Sequence, residues 1–175
     1  MDNQKKIVSN AFWPRVSSDS SKLVYVSLNP INGENELFVS DANGSNARPI
    51  GLTGPVILRI KDAPLFSPDA QSIFFSAPSP TQSYQPNWFD KLTGVQIVKA
   101  HNVPSDWWSA PLTGGVPTRL THIQSAGLFA SISPDRKHIA SFSQAGLFVM
   151  DLDGSNLTML ISDLGSIPGT VSWIP

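Results

Sequence analysis

Residues 129–143 read FASISPDRKHIASFS, and this stretch decides the fold. A short apolar segment leads into Ser-Pro-Asp, and a second apolar segment follows at once. Proline pre-sets φ at the second position of a tight turn, and the aspartate side chain can accept hydrogen bonds from nearby backbone N–H groups. The stretch therefore predicts a β-hairpin.

The same plan occurs twice more, in residues 12–27 (FWPRVSSDSSKLVYVS) and 63–76 (APLFSPDAQSIFFS). A glycine is expected in each turn after the aspartate, because that position favours a positive φ. Ser20, Ala70 and Arg136 stand there instead. This departure predicts a small local strain and leaves the pattern intact.

A second module follows each hairpin, in residues 37–46 (LFVSDANGSN), 107–115 (WWSAPLTGG) and 147–156 (LFVMDLDGSN). Each is a strand that runs into an Asn-Gly, Gly-Gly or Asp-Gly turn, and these turns supply the positive φ values of a hairpin. A short fourth strand comes next, at residues 47–52, 118–121 and 157–161.

Four strands per repeat, three repeats and no convincing helix predict an all-β chain of about three β-propeller blades, each of four antiparallel strands. Blade 1 is predicted at residues 11–53, blade 2 at 54–121 with an insertion at 78–105, and blade 3 at 122–168. Residues 1–10 are predicted to be an N-terminal arm or the end strand of a preceding blade, with the strand at residues 5–8. Residues 169–175 are predicted to be the first strand of a following blade.

The composition excludes several classes. With 41% hydrophobic residues and a net charge of −1, the chain is too apolar and too weakly charged to be disordered, and it has no electrostatic footprint for nucleic acid. The absence of Cys excludes a disulfide framework and a cysteine-based zinc site. No apolar run reaches the length of a membrane-spanning helix, and no signal peptide is recognisable.

The Phe-Ser-Pro-Asp turn and the strand ending in Asp-Leu-Asp-Gly-Ser-Asn resemble the WD40-like repeat of the TolB-type β-propeller family. The resemblance covers nearly the whole chain outside residues 78–105. It implies a radial array of blades around a channel, a non-enzymatic protein-interaction scaffold and an extracytoplasmic, periplasmic location. Related repeats imply the alternatives of a carbohydrate-binding or polysaccharide-lyase-like propeller, or an accessory propeller of a peptidase.

Three blades are too few to close a ring, because propellers usually have four to eight. The chain is therefore predicted to be part of a longer propeller or to complete its ring by self-association, for which the simplest closed arrangement is a homodimer of about six blades. A protein partner, another copy of this chain, or both are expected.

The insertion at 78–105 predicts the candidate binding surface. Because strands within a blade alternate in direction, this loop shares a face with the blade-to-blade connectors and lies opposite the Ser-Pro-Asp turns. Its candidate contact residues are Tyr84, Trp88, Phe89 and His101, with two further tryptophans just beyond at 107 and 108. The competing interpretation is that the aromatic side chains pack the insertion onto its own blade.

No catalytic, cofactor-binding or metal-ligating residue is predicted. The pattern Asp151-x-Asp153-Gly154 resembles the start of a calcium loop, but Asn156 and Ser162 stand where such a loop needs Gly and Glu. The three histidines fall at unrelated places in the repeat. Neither a Gly-x-Ser-x-Gly elbow nor a phosphate-binding glycine loop occurs.

Overall fold

The computed structural model describes residues 6–29, 34–56, 58–78, 103–162 and 171–174. Within these ranges the only regular elements are strands, and all of them pair antiparallel in three four-stranded sheets. The predicted all-β fold with about three blades is therefore confirmed.

Each sheet contains four consecutive strands in chain order. Blade 1 consists of β1 (Ala11–Val16), β2 (Lys22–Leu28), β3 (Asn35–Asp41) and β4 (Arg48–Pro49). Blade 2 consists of β5 (Asp62–Phe66), β6 (Ser72–Pro78), β7 (Ser105–Pro111) and β8 (Thr118–Arg119). Blade 3 consists of β9 (Phe129–Ile132), β10 (His138–Ser143), β11 (Gly146–Asp151) and β12 (Thr158–Ser162).

The turn between the first and second strands is built in the same way in all three blades. In blade 2, the Ser67 hydroxyl donates to Asp69 Oδ1 at 2.6 Å and accepts the Ser72 N–H at 2.9 Å. Asp69 Oδ1 also accepts the Gln71 N–H at 3.1 Å. Equivalent bonds join Ser17, Asp19, Ser21 and Lys22 in blade 1, and Ser133, Asp135, Lys137 and His138 in blade 3. The serine and aspartate thus close each turn locally, as the sequence predicts.

The turn positions at which glycine was expected do have positive φ. The angle is 61° at Ser20, 55° at Ala70 and 62° at Arg136. An L-residue with a Cβ is strained in this left-handed region by about 1–2 kcal/mol. The predicted local strain is therefore present in all three blades.

Replacing Ser20 with glycine should raise the free energy of unfolding by about 0.5–1 kcal/mol, because removing the Cβ relieves strain and outweighs the added entropy of the unfolded chain. Ser20 is exposed, so no packing is lost. The matched control is Ser20→Ala, which keeps the Cβ and should leave stability unchanged. Urea denaturation of the three proteins measures the difference. A Gly variant no more stable than the Ala variant would contradict the strain.

Two apolar cores lie between the blades. The first, between blades 1 and 2, contains Val24, Val26, Leu37, Val39, Ile50, Leu58, Phe66, Ile73, Phe75, Ala77, Trp108 and Ala110. The second, between blades 2 and 3, contains Ala63, Leu65, Phe74, Trp107, Leu128, Ala130, Ile139 and Met150. Blade 2 is therefore buried on both faces, and this burial stabilises the stack of blades.

The two adjacent tryptophans of β7 point into different cores. Trp108, 3% exposed, packs between blades 1 and 2, and Trp107, fully buried, packs between blades 2 and 3. Successive residues of a strand face opposite sides of its sheet, so one tryptophan reaches each neighbour. Both tryptophans are therefore core residues and do not contribute to an exposed contact surface.

Candidate functional site

An open cavity of about 520 Å³ lies where the first strands of the three blades converge. Its walls are residues 15, 16 and 18 of blade 1, 65–68 of blade 2, and 130–134 and 136 of blade 3, together with 171 and 172. Most of these residues belong to the ends of β1, β5 and β9 and to the turns that follow these strands. The cavity therefore occupies the axis of the blade array on the face of the Ser-Pro-Asp turns.

The cavity combines apolar walls with two guanidinium groups. Val16, Leu65 and Phe66 contribute apolar surface, while Arg15 and Arg136 supply the cationic side chains of the lining. Arg15 lies on a strand and Arg136 in a turn, and both are exposed. Guanidinium groups bind carboxylates through two parallel hydrogen bonds, so the mouth of this cavity suits an anionic group on a partly apolar ligand.

Ionised carboxylates surround this mouth on the same face. Hydrogen bonds from Ser17 and then from Ser21 lower the pKa of Asp19 to about 2. Bonds from Ser67 and Ser133 likewise lower the pKa of Asp69 and of Asp135. Each bond favours the charged form because the carboxylate is the acceptor. These turns therefore stay negative at neutral pH.

The turns between third and fourth strands add further negative charge to this face. A bond from Lys22 Nζ at 2.8 Å, then bonds from Asn46 and Ser45, lower the pKa of Asp41 to about 2. Bonds from the side chain and backbone N–H of Ser155 lower the pKa of Asp153. The face thus carries two arginines at the cavity and ionised carboxylates in its turns, where Lys22 pairs with Asp41.

Histidine 138 lies between two carboxylates of blade 3. Its Nδ1 is 3.5 Å from Asp135, and its Nε2 is 3.5 Å from Asp151. His138 is the first residue of β10, and its side chain is 40% exposed. Lys22 occupies the same place in blade 1, where it pairs with Asp41. Both residues link the two turns of their blade across the face.

The predicted binding residues Tyr84, Trp88, Phe89 and His101 lie outside the described residues. β6 ends at Pro78 and β7 begins at Ser105, so the insertion does connect the second and third strands of blade 2. The aromatic contact surface on that face stays a prediction. The cavity between the blades was not predicted, because it depends on how three distant turns come together.

The Asp-Gly turns are closed by hydrogen bonds among their own side chains. In blade 3, Asp151 Oδ2 accepts Asn156 Nδ2 at 2.6 Å, and Asp153 Oδ1 accepts the Ser155 hydroxyl at 2.6 Å. These bonds explain the acidic pattern as a turn motif. Within the described ranges, no group of three or more His, Asp or Glu side chains is arranged to hold a metal ion.

A buried carboxyl group lies on the opposite side of the blade array. Asp62 begins β5, is 6% exposed, and accepts a 2.9 Å hydrogen bond from Asn35 Nδ2 of blade 1. Burial raises its pKa to about 7, against the opposing effects of Asn35 and Lys61. Burial also lowers the pKa of Lys61. The boundary between blades 1 and 2 therefore contains a group that titrates near neutral pH.

In the part of the chain that the structure describes, no helix is long and apolar enough to cross a bilayer.

Neither a protein-family model nor a curated protein matches this chain. Many solved structures do, and three of them serve as comparisons. A TolB candidate from Agrobacterium tumefaciens has 19% identity and a TM-score of 0.55 over 85% of this chain and 45% of its own. TolB from Acinetobacter baumannii has 18% identity and a TM-score of 0.56 over 86% and 32%. The oligogalacturonate lyase of Vibrio parahaemolyticus has 14% identity and a TM-score of 0.55 over 85% and 39%.

The chain therefore has the fold of four-stranded β-propeller blades. Structural similarity at sequence identities of 14–19% establishes the fold alone. For the fold, the predicted resemblance to TolB-type propellers is confirmed. The chain spans about a third to just under half of the length of these three structures.

Proposed function

We propose that this protein is a non-enzymatic interaction scaffold that binds a protein partner at the face of the Ser-Pro-Asp turns. The carrying observation is the cavity of about 520 Å³, whose walls combine Val16, Leu65 and Phe66 with the guanidinium groups of Arg15 and Arg136. Interfaces concentrate binding energy where apolar residues and arginine meet in a recess. Two of the similar structures are described as TolB proteins.

The charge pattern specifies the partner. An acidic residue at the tip of the partner would meet Arg15 and Arg136 at the centre of the face. Basic residues around that tip would meet the carboxylates of Asp19, Asp69 and Asp135. Such complementarity favours one orientation and accelerates association at low salt. The proposed partner surface is therefore an acidic loop flanked by basic residues.

Replacing both Arg15 and Arg136 with alanine should weaken binding of that partner by about tenfold to a hundredfold, because two charge-assisted contacts are lost. The control is Arg59→Ala, since Arg59 lies in the connector between blades 1 and 2 and pairs with Glu34 of the β2–β3 loop, on the opposite face. Partners captured from the native host by the parent chain are purified, and their affinities for both variants are measured by surface plasmon resonance. Equal loss in control and double variant, or loss in neither, would contradict the proposal.

A second candidate function is recognition of an acidic oligosaccharide at the same cavity. The structural similarity to an oligogalacturonate lyase favours it, because that protein acts on a polyanionic sugar and two arginines line this cavity. Calorimetric titration with trigalacturonate, followed by product analysis, distinguishes the two functions. Arginine-dependent sugar binding favours this candidate, and sugar cleavage would refute a non-enzymatic role. If trigalacturonate is neither bound nor cleaved, and protein binding depends on the two arginines, the scaffold function is favoured.

The insertion offers a second contact surface in this proposal, on the face opposite the cavity. Replacing Trp88 and Phe89 with alanine tests it, with the fold checked by circular dichroism. A partner captured equally well by the folded variant would exclude the insertion from the contact site.

A further inference from the structure

Exposed apolar side chains are concentrated at the last strand of blade 3. Of the ten large apolar side chains that are exposed in the described part of the chain, four lie within residues 157–161. They are Leu157, Met159, Leu160 and Ile161, and they are 38–57% exposed. All five residues of β12 (Thr158–Ser162) are exposed. Single apolar residues are normal on a protein surface, whereas a contiguous group marks an interaction surface.

The outer edge of β12 differs from the outer edges of the other two blades. β12 is the last strand of its sheet and pairs with β11 at its inner edge, and no described strand pairs with its outer edge. The corresponding strands β4 and β8 have two residues each, Arg48-Pro49 and Thr118-Arg119. Short length, charge and proline all discourage pairing at a sheet edge. β12 has five residues and contains neither a charged residue nor a proline, so its edge is open to pairing.

The apolar side chains of β12 lie on both faces of the sheet. Met159 pairs with Phe148, and Ile161 pairs with Leu147. Paired residues of antiparallel strands share a face, and successive residues of β11 face opposite sides, so Met159 and Ile161 lie on opposite faces. Both are 48% exposed. A blade stacked on blade 3 would cover one of them. A strand added beside β12 in the plane of the sheet would reach both and would also pair with the open edge.

We propose that β12 pairs antiparallel with β12 of a second copy of this chain, so that the two blade 3 sheets join into one continuous sheet. β12 has no charge with which to attract a charged segment, so the strand that fits it is uncharged and apolar. β12 itself has this character, with Thr158 and Ser162 at its ends and three apolar residues between them. Antiparallel pairing of one strand with its own copy has two-fold symmetry and closes at a dimer.

This dimer uses a different surface from the ring-completing homodimer predicted from the sequence. It joins the outer edges of two blade arrays, whereas completing a ring would join their end blades face to face. The inference does not depend on the proposed function, because the cavity lies at the first strands of the blades and β12 lies at the outside.

The oligomeric state of the chain tests the pairing. Two strands of this length bury less than about 1,200 Å², as weak protein pairs do, so we expect a dissociation constant of about 0.1 mM. Leu160→Lys places like charges on both sides of the shared edge and should weaken the dimer about tenfold or more. The matched control is Val116→Lys, because Val116 is 61% exposed and lies just before β8, outside blade 3.

Sedimentation velocity measures the parent and both variants, with the fold checked by circular dichroism. Dimerisation that Leu160→Lys weakens and Val116→Lys leaves unchanged supports the proposal. A parent that is still monomeric at about 1 mM overturns it, and so does equal weakening by both substitutions.

A disulfide measurement identifies the surfaces that meet. The chain contains no Cys, so a single introduced cysteine reports only on its own position. Leu160 is the middle residue of β12, so antiparallel pairing brings its two copies close to the two-fold axis. Under mild oxidation, Leu160→Cys should therefore form a disulfide-linked dimer about tenfold faster than Val116→Cys, because a disulfide needs closely approaching Cα atoms. A dimer in which both cysteines react at the same rate joins other surfaces and overturns the proposal.

Amide hydrogen exchange separates an added strand from a stacked blade. The amides of β12 should exchange about tenfold more slowly in a concentrated solution of the parent than in a dilute one, because the second copy covers the outer edge. A ring-completing homodimer would protect β1 (Ala11–Val16) instead, and that result overturns the proposal. Protection of β12 by a different protein, with no protection by a second copy, also overturns it.

Discussion

Replacing Trp107 with alanine is expected to lower the free energy of unfolding by about 3–5 kcal/mol, the largest effect of any substitution considered for this protein. Trp107 is fully buried in the core between blades 2 and 3. Its Nε1 donates a 2.5 Å hydrogen bond to the Ser141 hydroxyl of blade 3, which is also fully buried. One side chain therefore joins two blades by both packing and hydrogen bonding.

Trp108 provides a matched comparison on the other side of the same strand. It is 3% exposed, and within the described part of the chain its Nε1 has no hydrogen-bond partner. Trp107→Phe should cost more than Trp108→Phe by about 1–2 kcal/mol, because the first substitution strands a buried hydroxyl and the second removes an unpaired donor. Denaturant unfolding of the two phenylalanine variants measures the difference. Equal costs would contradict a stabilising role for the Trp107–Ser141 bond.

A double-mutant cycle isolates that bond. Ser141→Ala should destabilise the parent protein by about 1 kcal/mol and should be close to neutral when Trp107 is already phenylalanine. Purely additive costs would assign the effect of Trp107 to packing alone.

The strands and turns were predictable because their determinants are local. The Ser-x-Asp pair closes its turn with bonds that span five residues, and the same pair recurs in each blade. The opposite orientations of Trp107 and Trp108 were also predictable. These residues stand where Leu37 and Phe38 stand in the blade 1 repeat, and those positions alternate between the two faces of the sheet.

The cavity and the buried carboxyl could not be predicted in the same way. Arg15 and Arg136 are far apart in sequence and occupy different positions in their repeats, so only the convergence of the blades brings them to one cavity. Asp62 stands at the end of the connector between blades 1 and 2, where a charged residue is expected to face solvent. It is buried because β5 begins there and because Asn35 of the neighbouring blade covers it.

Asp62→Asn is expected to stabilise the protein above neutral pH and to have little effect near pH 4. The folded-state pKa of Asp62 is raised from 3.8 to about 7 by burial, so the folded protein holds a proton that the unfolded chain releases. The parent must therefore lose stability as the pH rises from about 4 through about 7. The full loss is about 4 kcal/mol, the energy equivalent of this pKa shift.

The asparagine keeps the geometry while removing the titration, since its side-chain oxygen can still accept the bond from Asn35 Nδ2. Urea denaturation from pH 4.5 to 9 should show a falling stability for the parent and a flat profile for the variant. Below pH 4 both proteins should become less stable as the pH falls. Asp19 and Asp41 have folded-state pKa values lowered to about 2, so their protonation is more costly in the folded state.

Asp106→Asn is the matched control, because Asp106 is a second buried carboxylate that contacts a partner side chain. Asp106 is fully buried and accepts a 2.6 Å ion-pair contact from Arg119 Nη2. Removing its charge leaves Arg119 without its counter-charge and should cost about 3 kcal/mol at neutral pH. The two substitutions are chemically identical yet have opposite predicted signs, since Asp106 has a cation in contact and Asp62 has the neutral amide of Asn35. If Asp62→Asn instead destabilises the protein at pH 8, the neighbours Asn35 and Lys61 stabilise the Asp62 carboxylate by more than burial destabilises it, which contradicts the raised pKa.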